Sequence, residues 1–116
     1  MADAFLIEDK IGILIWKTSN YWQSNLRKIL KSFNISLNEY LILQSTRLLV
    51  SRNKEISQNE IAKLIGMNIS VVSVNLKLLE YKKYITRNNH SDNRKKIVKI
   101  LKIGNDLYDS VHPLIE

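Results

Sequence analysis

The sequence has no cysteine, a single proline, three glycines and two histidines in 116 residues. The missing thiols exclude disulfides, thiolate metal sites, cysteine nucleophiles and thiol redox sensing together. His90 in a polar loop and His112 beside Pro113 have no paired carboxylate or second ligand at metal spacing, and the scattered glycines build no phosphate-cradling loop. Neither enzyme chemistry nor a metal or cofactor is expected. No apolar run approaches the ~20 residues that span a bilayer. The longest, counting glycine, is 11–16, and the amino terminus carries Asp3 before any base. The expectation is a cytoplasmic, untargeted protein that does not enter a membrane.

Acidic side chains are also scarce, 11 against 18 basic, for a formal charge of +7. Residues 77–102 hold nine bases and two acids, so the whole excess sits in one short segment. Such a footprint suits a polyanion, because each neutralised phosphate releases condensed counterions. The length fits one domain, which buries roughly two thirds of its unfolded surface.

Along residues 3–31, Ile7, Ile11, Leu14, Ile15, Thr18, Trp22, Leu26 and Ile29, continuing to Phe33, recur at helical steps and predict a long amphipathic helix. Phe5, Leu6, Ile13 and Trp16 fall near its opposite side at about 100° per residue, a second stripe that calls for a second partner, either the rest of a small domain wrapped around it or, the favoured reading, another subunit. At 34–39, NISLNE breaks the helix and offers a capping box between Ser36 and Glu39. The helix that follows is apolar on nearly every side, from Tyr40 to Val50, and should be the buried central one.

SQNE at 57–60 repeats the device before a short helix whose inward stripe is Ile61, Leu64 and Ile65. Gly66 supplies the left-handed end and Asn68 caps the next helix, a helix-turn-helix arrangement. Over 69–82 that helix should bury Ile69, Val72, Leu76 and Leu79 and turn Ser70, Ser73, Val74, Lys77 and Tyr81 outward. Two hydroxyls, an aliphatic tip and a lysine in one row match the width and chemistry of a DNA major groove. Strands at 84–88 and 97–101 form a hairpin, with Val98 and Ile100 on one face. Its polar tip carries Arg94, Lys95 and Lys96, suited to a narrow minor groove, and Asp92 can hold the Arg94 guanidinium. A last helix through Ile103, Leu107, Val111 and Leu114 should be interrupted or end near Pro113 and pair with the second stripe of the first helix.

In this order and spacing, ISLNEYLIL, ISQNEIAKLIGMNISVVSVNLKLLEYKKYI and SDNRKKIVKILKIG resemble the MarR family of bacterial winged-helix transcription regulators. The shorter staphylococcal SarA-like regulators are a related alternative. The resemblance implies a mainly α fold with a small β-hairpin wing. It would be a single winged helix-turn-helix domain over 1–116, with 1–33 and 102–116 as dimerisation helices. It further implies a homodimer, a repressor in most of the family, on a palindromic double-stranded DNA operator. DNA-facing roles fall on Ser70, Val71, Ser73, Val74, Asn75 and Lys77, and a minor-groove role on Arg94. Trp16, Tyr21, Trp22 and Tyr40 could line the pocket for a small aromatic effector that such regulators often have, the alternative being that aromatics at helical spacing belong to the core.

Three positions depart from the family pattern. Val74 stands where many members have arginine, Leu101 where a threonine caps the last helix, and Lys83 where a glycine follows the reading helix. With Lys77 the only mid-helix charge, affinity is expected from the wing, including Arg94 and Lys95, and from the 82–87 turn, including Arg87. Sequence choice is expected from Ser70, Ser73, Val74 and Asn75, with thymine methyls under Val71 and Val74. The alternative is a protein-interaction module, an antirepressor or adaptor, that keeps the fold.

Overall fold

Local chemistry decides where the helices begin and end. The computed structural model describes residues 2–52, 55–89 and 96–115, with 2–9 and 89 as backbone alone. It contains helices α1 (Ala2–Lys31), α2 (Leu37–Val50), α3 (Gln58–Ile65) and α4 (Ile69–Tyr81). After them come strands β1 (Ile85–Asn89) and β2 (Lys96–Ile100) and helix α5 (Lys102–Ile115). Both capping boxes form: the Ser36 hydroxyl accepts from the Glu39 N–H at 3.1 Å, and the Ser57 hydroxyl from the Glu60 N–H at 3.2 Å. The two glutamates accept in return from the Ser36 and Ser57 N–H groups.

Helices α1, α3 and α4 each end on a left-handed residue: Asn34 at φ 58°, Gly66 at 74° and Lys83 at 66°. In each case the next N–H closes back five residues, from Ile35 to Leu30, Met67 to Ala62 and Tyr84 to Leu79. Glycine takes this conformation freely and asparagine tolerates it; lysine does neither. Because the Lys83 side chain is exposed, Lys83→Gly should raise stability by about 0.5–1 kcal/mol. Urea denaturation would show this as a higher midpoint at unchanged slope, and a lower midpoint would show that the lysine side chain contributes more than its strain costs.

Helix α2 lies at the centre and touches all four other helices and β2. Ile42 and Leu43 are fully buried against Leu30 of α1, Ile61 of α3, Val72, Leu76 and Leu79 of α4 and Val111 of α5. Ser45 and Thr46, also buried, donate their hydroxyls to the carbonyls four residues back, at 2.7 Å each. Ile69, expected inside, is 40% exposed, because it sits in the first turn of α4 at the rim of that stripe.

The hairpin pairs Ile85 with Ile100 and Arg87 with Val98. A single bridge from the chain before α3 joins its other edge: Val98 N–H donates to the Ile56 carbonyl at 2.8 Å and Ser57 bridges Ile97. β2 thus has a partner on each edge, and the adjacent Ile97 and Val98, on opposite faces, are both buried. α5 runs through Pro113 without interruption and ends two residues on at Ile115, since a proline so near the carboxyl end forfeits only a last-turn bond. Leu101 brings no side-chain cap; its N–H is tied instead to the Tyr84 carbonyl at 2.9 Å.

Helix α1 departs most from expectation. Its own domain covers it only from Leu26 onward, and Ile11, Leu14, Ile15 and Trp22 of the expected inward stripe are 44–63% exposed. Ile13 and Trp16 of the second stripe are as bare, while Phe5, Leu6 and Ile7 fall where only backbone is described. The projecting helix gives a radius of gyration of 17.0 Å, against roughly 13 Å for a compact chain of this length. No single helix among the described residues is long and apolar enough to cross a membrane.

Candidate nucleic-acid interface

Three residues, Gly66, Met67 and Asn68, turn α3 into α4 at 117°. This angle leaves one side of α4 packed on α2 and α3 and the other facing outward. Ser70, Val74, Lys77 and Tyr81 form the outermost row, all exposed, with Val71 and Leu78 beside it on one flank and half-buried Ser73 on the other. Val74 is 61% and Tyr81 86% exposed. The Asn68 carboxamide oxygen accepts from the Ser70 N–H at 2.9 Å and from the Ser70 hydroxyl at 2.7 Å. Ser70 therefore spends its proton on the cap and offers outward only lone pairs.

Asn75 does not join this row. It is buried, and its amide donates to the Val71 carbonyl at 2.9 Å. Five residues after Ser70 it comes round beside the packed stripe, where an amide must find a partner within the fold.

The bases after α4 also serve the fold first. Arg87 Nε donates to Glu80 at 2.6 Å and its guanidinium to Gln58 at 3.2 Å, so a largely buried side chain ties β1 to α4 and α3. Lys82 Nζ donates to both carboxylate oxygens of buried Glu39, at 2.9 and 3.1 Å, and to the Asn34 carbonyl at 2.8 Å. The phosphate-binding part expected of the 82–87 turn thus reduces to Lys83. Among the described residues, exposed positive charge around α4 and the hairpin lies on Lys77, Lys83, Lys96 and Lys99. Arg94 and Lys95, with Asp92 and His90, lie outside the described residues.

The four aromatics expected to share an effector pocket are not brought together. Tyr40 is buried in the core, its ring stacked on Tyr108 at 5.6 Å between centroids and its hydroxyl 3.1 Å from His112 Nδ1. Trp16 and Tyr21 are about 70% exposed on α1, and Tyr21 and Trp22 line a shallow cleft of about 270 Å³ with Leu26, Ile29 and Ile115. Helical spacing put Tyr40 on a face of α2 that belongs to the core. Sequence reasoning missed the partners Glu80, Gln58 and Asn34. Their contacts span up to 48 residues along the chain, and no local pattern signals them.

No family model matches the chain. It is 26% identical over 106 residues to an uncharacterized HTH-type transcriptional regulator, YdcH, of Bacillus subtilis (strain 168), an overlap of 90% of this chain and 72% of that protein. A solved MarR-family transcriptional regulator from Rhodococcus sp. RHA1 is similar in structure, with a TM-score of 0.80 at 20% identity over 93% of this chain and 74% of the other. A mutant MarR from E. coli complexed with operator DNA has a TM-score of 0.79 at 20% identity, covering 91% of this chain and 74% of its own. The fold is that of the MarR-family winged-helix regulators.

Proposed function

We infer that this chain, built on the MarR-family fold, is a double-stranded DNA-binding transcriptional regulator that acts as a homodimeric repressor on a palindromic operator. The observation that carries the reading is the outward row of α4. Ser70, Val74 and Lys77 stand exposed behind a tight turn, and short side chains there let a helix approach base edges closely. Around them, Lys83, Lys96 and Lys99 supply exposed positive charge for phosphates, and Arg94 and Lys95 fall to the wing's part in the minor groove. The uncovered apolar length of α1, with exposed Ile103 and Leu114 on α5, supports the dimer. A twofold axis sets this face against its own copy and repeats the reading helix for a second half-site.

The test of the interface is a salt titration of duplex binding. Lys77→Ala should weaken binding and lower the slope of log affinity against log salt by about one phosphate's worth. An unchanged slope would remove Lys77 from the DNA contact, and failure of the parent chain to bind duplex even at low salt would defeat the reading.

A further inference from the structure

Resting on the DNA-binding reading above, we propose that α4 selects its site through the 5-methyl groups of thymine, sensed by Val71 and Val74. Three observations meet on this helix. Two of its polar groups are withdrawn: Asn75 is buried with its amide on the Val71 carbonyl, and the Ser70 hydroxyl proton is held by Asn68, which leaves half-buried Ser73 and, at the carboxyl end, Tyr81 as the remaining hydroxyls. Its apolar groups are not withdrawn. Val71, Val74 and Leu78 are 38%, 61% and 45% exposed, and steps of three and four place Val71 and Leu78 on the flank beside Val74 of the outward row. The single cation there, Lys77, is a compact point charge on a flexible stem and suits a phosphate as readily as a base.

Among the features that base pairs present in the major groove, the thymine methyl is the apolar one; the rest are hydrogen-bond donors and acceptors. Valine is stiff about its first side-chain torsion, so its two methyl groups are held in place before DNA arrives. A helix that offers fixed methyls and few donors discriminates by which pairs bring a methyl to meet them. The exposed lysines flanking α4 favour a polyanion over an apolar protein partner as the occupant of this stripe.

The test takes a duplex selected by the full-length protein from a random pool and replaces its thymines one at a time by deoxyuridine, which removes only the methyl. Uracil at one or two positions of each half-site should weaken binding about three- to fivefold, the worth of one methyl group leaving water. Val74→Ala, at an exposed position that the fold does not depend on, should abolish the penalty at one of those positions and leave the other in place. If uracil is neutral at every position of a site that still outcompetes random DNA, the thymine inference falls and the DNA-binding reading stands. Binding blind to sequence, as a stripe made for a protein partner would give, overturns both.

Discussion

Gly104→Ala is expected to destabilise the protein by about 2–4 kcal/mol, although alanine is the better helix former by about 1 kcal/mol. Gly104 is buried in the first turn of α5, where that turn rests on the chain leaving α4. A Cβ there would overlap the Tyr84 carbonyl oxygen and come within 2.9 Å of Ile100 Cγ2. The obstacle is backbone, so it cannot swing aside as a side chain would. The same carbonyl accepts the Leu101 N–H that begins α5, and pushing it away also loosens that bond. Gly12→Ala is the control, because an added Cβ at this exposed helical position meets nothing within 4 Å and should stabilise slightly. Urea denaturation of the two variants should move the midpoint in opposite directions. Equal shifts would mean that α5 can lift off Tyr84 at little cost.

Glu39→Ala should cost about 2–4 kcal/mol through two losses at one carboxylate. Glu39 is 3% exposed, caps α2 through the Ser36 N–H and receives Lys82 on both oxygens. The upper figure is tempered because the Lys82 side chain is 24% exposed and its freed ammonium can turn toward water. Glu39→Gln keeps an acceptor for the cap but loses the charge, and should fall between the parent and alanine. Since Lys82 closes α4 and Glu39 opens α2, the pair also sets the angle at which α4 is presented. DNA affinity of the alanine variant should therefore fall even where the protein remains folded. Denaturation and duplex titration of both variants check this, and affinity unchanged in fully folded Glu39→Ala would show that the pair does not orient α4.

The signals readable from sequence were those in which cause and effect lie within one turn. Ser36 with Glu39, Ser57 with Glu60, the left-handed Gly66 and the Asn68 cap all formed where spacing placed them, because each closes over two to five residues. The periodicity of α4 found the packed stripe of Val72, Leu76 and Leu79 but misjudged its margin at Ile69, where 100° per residue leaves a side chain near the boundary, while the outward role of Asn75 came from the family resemblance and not from spacing. The internal use of Lys82 and Arg87 was not legible, since a run of bases shows charge without showing which acids fold against it. Nor was the isolated bridge of Ser57 to Ile97, too short to carry an alternation. The bare length of α1 is a different failure. Periodicity says which residues share a face and carries nothing on whether that face is covered.

The most direct test of the central claim, that α4 reads DNA from a symmetric dimer, is selection of bound sites from a pool of random duplexes. The expected result is an enriched, approximately palindromic motif whose half-sites lie about one helical turn apart, roughly 34–36 Å, with A·T pairs at the positions facing Val71 and Val74. A bound pool no different from the starting one would contradict the claim.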